Sequence, residues 1–151
     1  MTKILTVNDA IEDKFLRKVT APFDFKAFSR KEINQLIQTM RRDMEVANGV
    51  GLSANQIGID TQLFVARDEQ KFYAIFNPKI IKPSKETIDM EEGCLSIPEN
   101  FKAVERPERV TLVGYDKNGK KIKINAWGFL ARVFQHEVDH LNGKVFTDHL
   151  K

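Results

Sequence analysis

Residues 136–140 read His136-Glu137-Val138-Asp139-His140, two histidines four apart with a glutamate directly after the first. In an α-helix, positions i and i+4 share a face, so both imidazoles can address one cation. Glu137 then lies close enough to reach a water held at that cation. The bland alternative is a pair of core-facing histidines on an amphipathic helix. The functional reading makes a testable demand, because a hydrolytic site of this kind needs a third protein donor and one open position. The usual downstream places are closed here. A histidine six residues beyond the second would fall on Phe146, and residues 141–151 leave no room for a further helix carrying an acidic donor. His149 lies in that tail, where a chain end is expected to fray. The third donor is therefore expected upstream, where the softest one is Cys94.

Cys94 is the only cysteine, so no intrachain disulfide forms. A lone cysteine is usually a small buried hydrophobe. Its setting, Glu91-Glu92-Gly93-Cys94-Leu95-Ser96-Ile97-Pro98, is too polar for that role. Cys/His/His with an open position gives a Lewis acid that also acidifies water. A cysteine nucleophile with a histidine base would leave the two-histidine helix unexplained, and nothing supports a Ser/His/Asp triad.

The organisation around these residues is a helix, several strands and a second helix. Ser29 followed by Glu32 forms a capping box, and Ile33, Leu36, Ile37, Met40, Met44 and Ala47 repeat at helical spacing. This predicts a helix from about Arg30 to Asn48, stopped by Gly49 in the position after the C-cap. Strands are expected at Leu63–Ala66, Lys71–Phe76 and Phe101–Glu105. Arg109–Asp116 should form a hairpin with the strand carrying Ile122 and Ile124, joined by a left-handed turn at Asn118-Gly119. The second helix should span about Gly128–Leu141, with Gly143 as its stop. No βαβ alternation appears. The fold expected is α+β, a mainly antiparallel sheet packed around a central metal-binding helix, with an N-terminal helix. At 151 residues with 42% hydrophobic and 30% charged content, the chain fits one domain, 1–151.

A formal charge of +3, with basic residues scattered, argues against a nucleic-acid surface. No apolar run approaches the roughly twenty residues of a membrane span. Neither a secretory nor a transit pattern opens the chain. A cytoplasmic protein is expected, with an organellar mature form or a virus-encoded protein as the other settings.

Three segments resemble the peptide deformylase family. Gly49-Val50-Gly51-Leu52-Ser53-Ala54-Asn55-Gln56 is similar to the family's Gly-x-Gly-Leu-Ala-Ala-x-Gln. Glu92-Gly93-Cys94-Leu95-Ser96 matches Glu-Gly-Cys-Leu-Ser, and residues Gln135 to Gly143 match Gln-His-Glu-x-Asp-His-Leu-x-Gly. Order and spacing agree over nearly the whole chain. The resemblance implies removal of the formyl group from the N-terminal formyl-methionine of nascent polypeptides. It implies that Cys94, His136 and His140 bind one divalent metal and that Glu137 is general base and then acid. Gln56 and the Leu95 N–H would stabilise the oxyanion. Val50, Gly51, Glu92, Gly93, Phe129 and Val133 would contact substrate. The family favours ferrous iron, with zinc, nickel or cobalt often found in purified material. Ser53 departs from the family's alanine, with little effect expected. The chain also leaves no room for the C-terminal helix through which some members dock on the ribosome.

Two further expectations concern the surroundings of the site. Glu92 and Asp139 flank donors and would be costly if buried unpaired, so Arg106 is expected to bridge them. Two other functions compete with deformylation. A small zinc endopeptidase would cut peptide bonds without needing formyl, and a metal-stabilised binding protein would be expected to lose Glu137 or Gln56.

Overall fold

The computed structural model describes residues 2–150. Three α-helices run Ala10–Leu16 (α1), Arg30–Val46 (α2) and Gly128–Leu141 (α3). Seven strands are Gly51–Ser53 (β1), Leu63–Arg67 (β2), Phe72–Ile81 (β3), Thr87–Cys94 (β4), Ile97–Pro107 (β5), Arg109–Tyr115 (β6) and Lys121–Trp127 (β7). Five of them form an antiparallel sheet in the order β1-β2-β3-β6-β7. The other two, β4 and β5, pair only with each other as a second sheet. The α+β architecture expected from the sequence is the one observed.

Side-chain alternation along β3 shows why helices cover both faces of the large sheet. Tyr73 and Ile75 join Phe64, Leu112, Phe134 and Val138 in the core beneath α3. Ala74 and Phe76 face the other way, into the core with Ile37, Met40 and Met44 of α2. Period-two alternation sends neighbours to opposite faces, so a strand apolar at every position must be covered twice. β3 runs past its expected end at Phe76 because a bulge absorbs Pro78. The register with β6 shifts between Phe76 and Lys79, and Asn77 takes φ +48°. An irregularity there lets the sheet accommodate a residue with no N–H to donate.

α2 begins as expected: Ser29 Oγ accepts from the Glu32 N–H at 3.1 Å, and Glu32 Oε1 accepts from the Ser29 N–H at 2.9 Å. Its end corrects the sequence reading. The left-handed residue is Asn48, at φ +57°, not Gly49. The Gly49 N–H instead closes the helix on the Met44 carbonyl at 2.9 Å, and Asn48 N–H reaches Glu45 O at 3.1 Å. This is a Schellman closure displaced by one residue. α3 ends in the same motif with Gly143 as its left-handed residue, at φ +78°, as expected.

The β6–β7 hairpin needs a smaller correction. Only Gly119 is left-handed, at φ +77°. The Gly119 N–H donates to Asp116 O at 3.0 Å, and Asp116 Oδ1 accepts from the Asn118 and Lys120 N–H groups. The connection is thus a type I turn followed by a left-handed glycine, not a two-residue left-handed turn. Helix α1 and strands β1 and β4 add elements that the periodicity did not reveal.

Candidate metal centre

α3 crosses the large sheet with Ala131, Val133, Phe134 and Val138 in the core. Its other face carries Arg132, His136 and His140 at four-residue intervals, all buried. The β4–β5 hairpin lies against that face. Cys94 is the last residue of β4, and Leu95 and Ser96 form the turn into β5. Cys94 Sγ lies 3.1 Å from His140 Nε2, which lies 3.1 Å from His136 Nε2. The three donor atoms all fall within 4.8 Å of one another. Donors at ordinary zinc–nitrogen and zinc–sulfur distances in a tetrahedron would sit about 3.3–3.6 Å apart, so the cluster has the right size for one cation.

The electrostatics fit a cation as well. Burial disfavours charge on His136, but hydrogen bonds with Cys94 and Glu92 outweigh it and push its pKa up to about 10. The surroundings therefore stabilise positive charge at this point. Burial, reinforced by the neighbouring His136, drives His140 well below the usual imidazole range, leaving it neutral, the form that can bind a metal; His136 would have to release its proton when a cation binds. His136 Nδ1 meets Glu92 Oε1 at 2.9 Å, the carboxylate–histidine pairing that orients a ligating ring.

Glu92 is the hub of the surrounding network. Arg106 Nε and Nη2 donate to its two oxygens at 2.5 and 3.0 Å, while Arg106 Nη1 reaches Asp139 Oδ2 at 2.8 Å. The expected bridge by Arg106 between the two acids is present. Arg132, which the sequence reading passed over, adds a second guanidinium at 2.6 Å from Glu92 Oε2. Burial works against the Glu92 carboxylate, yet hydrogen bonds from His136, Arg106 and Arg132 hold its pKa at about 2. His149 does not join the donor cluster. Its Nε2 contacts Asp139 Oδ2 at 2.8 Å, so the tail is held against α3 rather than frayed. Phe146, at the position a downstream ligand would need, is fully buried and its ring stacks 6.2 Å from that of His136.

A cavity of about 450 Å³ opens over the cluster. Cys94, His136, Glu137, Gln56 and Leu95 line it, together with Val50, Gly51, Glu92, Gly93, Phe129 and Val133. Of the residues expected as ligands, catalysts or substrate contacts, His140 alone lies behind this lining, with no exposed surface. Burial raises the Glu137 carboxyl to about 7. Its Oε1 is buried and has no hydrogen-bond partner among the described residues, an orphan that a cation-held water would satisfy. Gly51 explains its own identity: a Cβ there would stand 2.6 Å from Glu137 Oε2. Gln56 donates from Nε2 to Ser96 Oγ at 3.0 Å and lies 3.6 Å from Cys94 Sγ. Ser53, Ser96 and Arg132 are the contributors that sequence reasoning missed. Arg132 could have been found from its place one turn before His136 on the same helix face.

Comparison with known proteins agrees with this geometry. The family model described as polypeptide deformylase matches residues 1–151. The peptide deformylase of Treponema pallidum is 44% identical over 120 residues, covering 80% of this chain and 74% of its own. The crystal structure of peptide deformylase from Thermotoga maritima superposes with a TM-score of 0.90 at 36% identity, covering 100% of this chain and 98% of that one. A Met-Ala-Ser-bound peptide deformylase from Acinetobacter baumannii gives 0.93 at 29% identity, covering 99% and 98%. With the family matched along its length, the chain belongs to the polypeptide deformylases, metal-dependent hydrolases that remove the N-formyl group of nascent peptides.

Proposed function

We propose that residues 1–151 act as one catalytic domain that hydrolyses formyl-methionyl peptides with Cys94, His136 and His140 as cation ligands. One observation carries the reading: Cys94 and His136 of the donor triad, the orphaned Glu137 carboxylate and the Gln56 amide line a single cavity, with His140 directly behind it. Bound at these donors, a divalent cation would supply Lewis acidity toward the formyl oxygen and the attacking water. The donor set suits iron, zinc, nickel or cobalt, and family resemblance favours ferrous iron as the working ion.

The remaining chemistry falls to the chain. Glu137 accepts a proton from the water as it attacks the formyl carbon, and a carboxyl raised to about 7 is matched to that exchange near neutral pH. Negative charge then grows on the formyl oxygen, where the Gln56 Nε2–H and the Leu95 backbone N–H are the donors. The carbon–nitrogen bond breaks, and Glu137 returns its proton to the departing amine. Formate and a free N-terminal methionine result. Val50, Phe129 and Val133 offer the apolar lining a methionine side chain needs. β1 pairs only with β2, so an extended substrate can pair along its open edge at Gly51. The Acinetobacter baumannii relative, with Met-Ala-Ser bound, supports a peptide of this kind as ligand.

Formylated chains leaving the ribosome support a cytoplasmic setting, with an organellar mature form or a virus-encoded protein as the other settings. Among the described residues, no helix is long and apolar enough to cross a membrane. The test is to measure metal content and then assay formylated and unformylated Met peptides side by side. Formate release from the formylated peptide alone is expected. Cleavage of internal peptide bonds would establish an endopeptidase, and neither activity in metal-loaded protein would establish a binding protein.

A further inference from the structure

We infer that Ser53 is a positioning residue that locks the Gln56 amide in its working orientation, an inference resting on the oxyanion role proposed for Gln56. Ser53 caps the short 3-10 turn Ala54–Ile57 that carries Gln56, and it has no exposed surface. Its backbone N–H donates to Gln56 Oε1 at 2.9 Å and its hydroxyl donates to the same oxygen at 3.0 Å. Both lone pairs of the amide oxygen are thereby engaged. The opposite rotation of the amide would set an NH2 group against the Ser53 N–H, and the hydroxyl bond adds to the hold on the present orientation. Nε2 is therefore committed to the side of Ser96 Oγ and Cys94 Sγ, the side on which the proposed function puts the formyl oxygen.

In the motif this segment resembles, alanine stands at position 53. An alanine keeps the backbone donor and loses the hydroxyl. The amide would then hang on one hydrogen bond at Oε1, and its rotation would cost less. Preorganisation of a donor toward developing charge matters most in the transition state. The consequence is a change in kcat more than in KM.

The test compares Ser53→Ala with the parent enzyme, alone and combined with Gln56→Ala, each in metal-loaded protein on a formyl-Met peptide. Ser53→Ala should lower kcat about three- to tenfold, the scale of one neutral hydrogen bond, with KM and melting temperature little changed. In the Gln56→Ala background the same substitution should do nothing further, because there is no amide left to hold. A second readout is independent of turnover: the Gln56 side-chain amide protons, followed by NMR, should exchange with water faster in Ser53→Ala. An unchanged kcat and exchange rate would overturn the inference. So would an equal loss of kcat in both backgrounds, which would route the effect elsewhere. If Gln56→Ala alone leaves kcat intact, the oxyanion reading itself has failed, and Ser53 falls with it.

Discussion

Arg132 Nη1 donates to Glu92 Oε2 at 2.6 Å, and this contact ties the helix of the two histidines to the strand that ends at Cys94. The same guanidinium donates to the carbonyls of Val104 at 2.6 Å and Ile88 at 2.6 Å, so it also holds both strands of the small sheet. Arg132→Ala would leave two strand carbonyls and part of a buried carboxylate unpaired. A loss of about 3–5 kcal/mol is expected, read by urea unfolding, together with weaker metal binding. Arg132→Lys should restore only part, since an ammonium cannot reproduce the fork. Wild-type stability in Arg132→Ala would show the contact to be incidental.

Glu92 gives the network a pH signature. Its folded pKa of about 2 lies below the ordinary 4.5, so the stability it contributes is complete above 4.5 and drains away as pH falls toward 2. The shift corresponds to stabilisation on the order of 3 kcal/mol at neutral pH. Urea titrations of metal-free protein between pH 2 and 6 should show this slope in the wild type and its absence in Glu92→Gln. Parallel pH profiles for the two proteins would remove the assignment.

Glu137→Gln keeps the shape of the residue beside Gly51 and loses proton transfer. A fall in kcat of about 10²–10⁴ is expected at unchanged metal content. A metal-loaded variant that turns over near the normal rate would exclude Glu137 as the base.

Gln56→Ala removes the side-chain donor proposed for the oxyanion. The expected loss is roughly 10²–10³ in kcat, with KM changed much less. An effect on KM alone would make Gln56 a substrate-binding group.

Cys94 is the only thiol and is partly exposed at the cavity. With no neighbouring thiol to trap a sulfenic acid as a disulfide, oxidation runs on toward the sulfonic acid. Iron-loaded enzyme should lose activity in air with a mass gain on the Cys94 peptide, while nickel- or cobalt-loaded enzyme persists. Inactivation with Cys94 unmodified would point to oxidation or loss of the iron. Undiminished metal binding and turnover by Cys94→Ser would remove Cys94 from the ligand set.

The sequence was most legible where a single period dominates. α2 and α3 carry apolar faces, α2 opens on a capping box and α3 closes on a left-handed glycine, and the four-residue spacing of His136 and His140 fixes their common face whatever the tertiary context. β4 was invisible because it barely alternates: from Thr87 to Cys94 only Glu92 is buried. A strand stabilised by one buried carboxylate has no hydrophobic pattern to detect. β1 is three residues long, too short for any period. Arg132 escaped notice because an arginine on a helix is ordinarily solvated, and its partners lie on a hairpin 28 to 44 residues away. Ser53 looked like a neutral exchange for alanine until the position of Gln56 Oε1 was known.

The separateness of the small sheet has a consequence for how the molecule opens. β4 and β5 share no ladder with the five-stranded sheet; they are held by Arg132 and His136 of α3 on Glu92, by the Val7 N–H donating to Ser96 O at their turn, and by packing of Ile97 and Val104 on Val145 and Phe146. The pair can part from the body of the protein without breaking any interstrand bond of the large sheet. It therefore forms a natural unit of sub-global unfolding, with an opening free energy below that of the whole fold. Cys94 and the Leu95 N–H would leave together in that event, while both histidines stay on α3. A bound cation would oppose the opening by bridging the two parts, so amide protons of β4 and β5 should be the ones whose protection rises most steeply with metal concentration.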